Sequence, residues 1–172
     1  ELPAEVEAVG VFVNSKPGEV VQLCTSLKLS AAQLHGDESS EIVSQVARSI
    51  AVFKAFRVDA TFSLDAFEKY PEAYAFLLDA AQAGQYGGTG ITTDWAVARR
   101  AALSHRIILA GGLKVENVAA AIRLVRPYAV DVASGVEAQP GKKDHARLRE
   151  FIQEVRRAEK QLEAQPENFQ RA

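Results

Sequence analysis

The residues of this 172-residue chain that could do chemistry stand where apolar runs stop. Asp79 ends the run Leu77–Leu78. A carboxylate there is costly unless it is paired or used, and burial favours its protonated form, which is what a general acid needs; a loop or helix-cap anchor is the structural alternative. His35-Gly36 follows Ala31–Leu34, where an imidazole either hydrogen-bonds a substrate or satisfies nearby backbone. Asp131 lies inside Tyr128–Val132, as an interior hydrogen-bond partner or as a ligand to substrate hydroxyls.

A second set of residues suits an anion. Gly111-Gly112-Leu113 follows another apolar run and precedes a helical stretch containing Asn117. Bare glycines let backbone N–H groups approach a phosphate, and a following helix adds its positive end. Ser134-Gly135-Val136-Glu137 and then Pro140-Gly141-Lys142-Lys143 follow the last run, so two glycine turns succeed two consecutive runs. Each alone reads equally well as an ordinary turn. Lys142 and Lys143 read as solvated charges, with steering of an anion as the alternative. Gly87, Gly88 and Gly90 fall within four residues and read as a loop able to close over a ligand, although a structural turn would look the same. Cys24 lies among the apolar residues of an amphipathic stretch and reads as a core thiol, not a nucleophile.

These positions must be held by the elements between them. Short apolar runs at Ala8–Val13, Ala31–Leu34, Ala51–Phe56, Ala75–Asp79, Arg106–Ala110 and Tyr128–Val132 read as strands buried on both faces. Between them Pro17–Leu27, Ser39–Ile50, Leu64–Tyr70, Trp95–Leu103 and Val115–Val125 have helical spacing, and Ala146–Val155 closes the series. Strict alternation of this kind predicts right-handed βαβ units and a parallel sheet, either an open doubly wound sheet or a barrel. The short, even period favours a (β/α)8 TIM barrel, of which six units are visible. In both architectures ligands bind at the C-terminal ends of the strands, where the residues above stand.

Composition excludes several classes. The chain is 48% hydrophobic and 24% charged, with net charge −2. It is neither disordered nor collagen-like, and no basic stripe suggests nucleic acid. One cysteine excludes an internal disulfide framework and points to a reducing, cytoplasmic setting. No apolar run approaches the roughly 18 residues of a membrane helix. His35, His105 and His145 stand on different kinds of segment, so no metal cluster is expected. There is no methionine, and Glu1 is an unusual residue to follow a removed initiator, so the expectation is a piece of a longer protein. Residues 1–158 are expected to form one domain and the polar residues 159–172 a tail.

In order and spacing, VGVFVN, AAQLHGDE, LLDA, YGGTG with TDW, LAGGLKVENV and RPYAVDVASGVEAQPGKKD resemble the phosphoribosylanthranilate isomerases, from about Val9 to about Val155. The last block is the most specific. The resemblance implies a (β/α)8 barrel of which this chain supplies about the last six units. It also implies a cofactor-free, metal-free Amadori rearrangement of N-(5-phosphoribosyl)anthranilate in tryptophan biosynthesis. By it, Asp79 is the general acid, His35 and Asp131 line the substrate pocket, and Gly111, Gly112, Ser134 and Gly135 bind the phosphate. Gly87 to Gly90 form the mobile loop.

The family's general base, a cysteine at the end of a first strand reading Lys-Ile-Cys-Gly, has no counterpart in these 172 residues. The expectation is therefore an isomerase whose base lies in a missing N-terminal segment, with this stretch alone inactive or nearly so. It would be a monomer or homodimer, or would associate through its open sheet edges. A catalytically inactive phosphate-binding barrel fragment is the alternative. Indole-glycerol-phosphate synthases need a lysine that does not follow LLD here, and ribulose-phosphate epimerases need metal ligands.

Overall fold

The computed structural model describes residues 3–59, 61–80 and 94–164. Its core is a six-stranded parallel sheet in the order β1 Val9–Phe12, β2 Ala31–Leu34, β3 Ala51–Val58, β4 Ala75–Ala80, β5 Ile107–Leu109 and β6 Ala129–Val130. Every strand pairs with its sequence neighbour, so all strand C-termini lie along one rim.

The connections are α1 Pro17–Ser26, α2 Ser40–Ala47, a 3-10 turn over Leu64–Lys69, α3 Trp95–Ala102 and α4 Val115–Val125. Side-chain caps start several of them where the sequence predicts. Ser39 accepts from the Ile42 amide at 3.4 Å, and Asp94 accepts from Ala96 and Val97 at 2.9 and 3.3 Å. After β6 the chain makes an antiparallel hairpin, β7 Glu137–Gln139 with β8 Lys142–Lys143, which the sequence reading took only as a glycine turn. Pro140-Gly141 turns it, and the φ of +77° at Gly141 is the left-handed value that a glycine after proline supplies.

Asp144 caps the last helix, α5 His145–Ala164, by accepting from Ala146 and Arg147 at 2.9 and 3.1 Å. The helix runs six residues past the expected tail boundary at 158. Ala158 is buried and Leu162 packs on the core, so the apolar stripe extends one turn further than the surrounding polar residues suggest.

Side chains alternate across the sheet. The outward face packs on the helices through Ala32, Leu34 and Val52 on one side and Phe76, Leu78 and Leu109 on the other. The inward face is small, made of Ala55, Ala75, Leu77, Ile108 and Ala110 with Phe53 and Ala129. Continuing each strand in steps of two brings His35, Arg57, Asp79 and Asp131 to the top of that inward face. Val9 and Val11, on the edge strand β1, are exposed. Among the described residues, no helix is long and apolar enough to cross a membrane.

Candidate active site

Asp79 is one residue short of the end of β4, faces Arg57 across the β3–β4 ladder, and is 6% exposed. With Ala110, Gly111, Gly112, Leu113, Asp131 and the residues Val132 to Gly135 it lines one cleft at the rim. The acid and both glycine turns thus share a cavity, although they come from three different strand ends.

The turn after β5 depends on its glycines. Gly111 and Gly112 have φ of 82° and 63°, left-handed values that strain other residues. Asn117 then locks it: its side-chain amide donates to the Gly112 carbonyl at 2.9 Å while its oxygen accepts from the Lys114 amide at 2.8 Å. Helix α4 begins directly behind, so its positive end adds to the field at the turn.

The turn after β6 packs straight onto the first. A Cβ on Gly135 would sit 1.9 Å from the Leu113 carbonyl oxygen, which no relaxed structure tolerates. Lys143 supports this turn from the hairpin, donating to the Ala133 carbonyl at 2.7 Å and to Glu137 at 3.0 Å. It is therefore engaged in holding backbone, neither a bare surface charge nor a free steering group.

His35 follows β2, with its amide donating to the Phe12 carbonyl of β1 at 2.8 Å. Gln33 donates from Nε2 to His35 Nδ1 at 2.9 Å, which leaves the proton on Nε2. That Nε2 lies 3.9 Å from Asp79 Oδ2. Burial lowers the imidazole pKa below 6.5; Asp79 and Asp131 oppose this, while Lys54 and Arg57 add to it. At neutral pH the ring is uncharged, and its buried Nε2, near the carboxyl, makes no hydrogen bond within the described residues.

Asp131 continues β6, its amide bonded to the Leu109 carbonyl at 2.8 Å. The residue presents surface to solvent, but the protein mass around its carboxyl raises its pKa above 3.8 and the Asp79 charge raises it further. A raised native pKa means that the folded state binds more protons than the unfolded one above 3.8, so this group's contribution to stability falls as pH rises through that window. Asp131→Asn is therefore expected to raise Tm at pH 7, with the gain vanishing below pH 4. Thermal unfolding at the two pH values checks this, and a gain independent of pH would contradict it.

The structure brings His35, Asp79, Gly111, Gly112, Asp131, Ser134 and Gly135 to one rim. Gly87, Gly88 and Gly90 lie outside the described residues. Cys24 is buried on α1, burial raising its thiol pKa, so it is a core residue and is remote from the rim. Among the described residues no cluster of His, Cys, Asp and Glu could hold a metal. Sequence reasoning missed Asn14, Glu38 and Lys54, which brace the His35 turn. The available signal was Lys54 in the middle of the apolar run AVFKAF, because a buried ammonium requires a partner.

Known proteins resemble this chain in sequence and fold. The family model described as N-(5'phosphoribosyl)anthranilate (PRA) isomerase matches residues 1–154. The N-(5'-phosphoribosyl)anthranilate isomerase of Trichlorobacter lovleyi is 48% identical over 158 residues, covering 91% of this chain and 76% of that protein. That of Rubrobacter xylanophilus is 47% identical, covering 88% and 74%. The crystal structure of phosphoribosyl anthranilate isomerase from Thermotoga maritima superposes with a TM-score of 0.81 at 40% identity, over 90% of this chain and 75% of that one. A further structure of the enzyme, in complex with reduced 1-(o-carboxyphenylamino)-1-deoxyribulose 5-phosphate, gives a TM-score of 0.78 at 39% identity over 91% and 74%. A 3-hexulose-6-phosphate synthase from Salmonella typhimurium, at 17% identity and a TM-score of 0.66, shares the fold alone. With the family model spanning all six strands and the cleft between them, this chain belongs to the phosphoribosylanthranilate isomerase family.

Proposed function

We propose that the cleft performs the Amadori rearrangement of N-(5-phosphoribosyl)anthranilate to 1-(2-carboxyphenylamino)-1-deoxyribulose 5-phosphate, as the isomerase of tryptophan biosynthesis. The observation that carries the reading is the shared cleft, which sets one buried carboxyl beside two packed glycine turns, the pairing that an acid-opened phosphorylated sugar requires. The turns at Gly111, Gly112, Ser134 and Gly135 take the phosphate through backbone N–H groups. Asp79 gives its proton to the ribose ring oxygen. The C1–O bond breaks as the anilino nitrogen lone pair forms C1=N. Loss of the C2 proton from this iminium then yields an enolamine, which takes a proton at C1 and releases its C2 hydroxyl proton to become the amino ketone. His35 and Asp131 hold substrate hydroxyls. No step needs a cofactor or a metal.

The C2 proton needs an acceptor on the other side of the substrate. Cys24 does not serve, being buried on a helix. The resemblance assigns the base to the cysteine of a Lys-Ile-Cys-Gly strand, and no such motif occurs in these residues. The six strands are accordingly read as the last six units of an eight-unit barrel, with α5 as far as Ala164 belonging to the isomerase domain, working in the cytoplasm as a monomer or homodimer.

Two measurements test this. Calorimetry with the reduced product analogue is expected to show binding by the 172-residue chain, and absence of binding would overturn the site. Steady-state assay of the same chain is expected to show turnover at least about 100-fold below that of the chain extended by a Lys-Ile-Cys-Gly strand, the low end of what one general base contributes. Full turnover by the chain alone would overturn the assignment of the base. An inactive phosphate-binding barrel, the second reading, predicts binding with no turnover in either form.

A further inference from the structure

One buried ion pair has no part in the chemistry above. Lys54, in the apolar strand β3, and Glu38, in the loop between β2 and α2, are each 2% exposed, with Nζ and Oε2 2.9 Å apart. Both lie on the helix side of the sheet, away from the cleft. The ammonium donates to the Leu34 carbonyl at 3.3 Å, the Gly36 carbonyl at 2.8 Å and Glu38 at 2.9 Å, so its three protons are all placed. The carboxylate accepts from the Gly36 amide at 3.0 Å and from the Asn14 amide at 2.9 Å. Asn14 completes the bracket, its side-chain oxygen accepting from the Asp37 amide at 2.8 Å. A Cβ on Gly36 would come within 2.4 Å of that oxygen, so only glycine fits.

These bonds have one geometric result: the carbonyl before His35 and both peptide groups of Gly36 after it are tied to charged side chains. A buried ion pair is often no more stabilising than an apolar pair of the same volume, because desolvation offsets the attraction. Stability alone therefore gives little reason for charges here, whereas a demand for fixed position does.

We propose that Glu38 and Lys54 are positioning residues for His35, clamping the backbone on either side of it so that the imidazole Nε2–H is held toward the Asp79 carboxyl and the sugar. The half that concerns the sugar rests on the function proposed above; the half that concerns the imidazole does not. The charges that act on the ring are Asp79 from β4, Asp131 just after β6, and Lys54 and Arg57 from β3, with Gln33 bonded to it from its own strand. The Lys54 charge also disfavours the imidazolium, so the clamp and the neutral state act together.

The test uses long-range 1H–15N NMR of the histidines in the 172-residue chain, with the His35 signals assigned by their loss in His35→Gln. The parent is expected to show the Nε2–H tautomer and a titration midpoint below 6.5. In Glu38→Gln/Lys54→Met, which removes both charges together, the tautomer is expected to become mixed and the midpoint to rise. Affinity for the reduced product analogue is expected to fall about tenfold. Glu38→Gln alone, which keeps the side-chain shape, serves if the double variant does not fold, and mixing of the tautomers is expected there too. Arg106→Ala, which removes a guanidinium stacked 4.5 Å from the Tyr74 ring, is a control for general destabilisation. It should lower Tm and leave the His35 signals in place. A folded charge-free variant with an unchanged His35 tautomer and midpoint would overturn the proposal. Failure of the parent to bind the analogue would overturn the function instead, while the His35 signals would still judge the clamp.

Discussion

Asp79→Asn is expected to lower isomerase turnover by about 10²–10⁴-fold, the range for loss of one general acid, while the dissociation constant for the reduced product analogue changes only a few-fold. The readout is kcat in the chain extended by the Lys-Ile-Cys-Gly strand, with calorimetry on the same variant. The split follows from where Asp79 stands. It is buried on the inward face of β4 at the wall of the cleft, with His35 Nε2 as near as 3.9 Å. An amide fills the same volume but has no acidic proton to give the ring oxygen, so the loss appears in the chemical step and not in ground-state binding. Equal losses in kcat and affinity would make Asp79 a binding residue. Unchanged kcat would remove it from the chemistry altogether.

Gly135→Ala is expected to weaken binding of the phosphorylated analogue by roughly 10- to 100-fold, as for one or two hydrogen bonds to a charged group lost at about 1.5–3 kcal/mol each. It is also expected to cost stability near the upper end of the about 1–3 kcal/mol typical of overpacking. The added methyl would meet the Leu113 carbonyl oxygen at 1.9 Å. Backbone cannot swing aside as a side chain can, so the two turns must part. Their N–H groups then no longer converge on one phosphate. Denaturant unfolding and calorimetry on the variant check both effects. Inorganic phosphate competition should weaken in parallel, and an unchanged phosphate affinity would place the anion elsewhere.

Much of this site could be read from particular residues before any coordinates. Apolar runs at the even βα period placed six parallel strands, and all six predicted runs fall within two residues of the observed strands at both ends. Asp79, His35 and Asp131 could be placed at strand ends because ligands of such sheets bind there. The helix α5 went further than its composition suggested, since Leu162 finds an apolar partner that a polar stretch does not advertise. Lys54 and Glu38 stayed hidden for a similar reason. They are 16 residues apart in sequence, and their pairing depends on the β2–β3 register that lays Leu34 beside Lys54.

By itself, the order of residues determined the alternating topology and the rim on which chemistry must occur, because these depend on local periodicity. Tertiary structure decided what meets what across that rim: Gly135 against Leu113, Nε2 of His35 toward Asp79, an ammonium beneath the His35 turn. Such contacts join strand ends distant in sequence, and their energies depend on separations of a few ångströms that no spacing along the chain encodes.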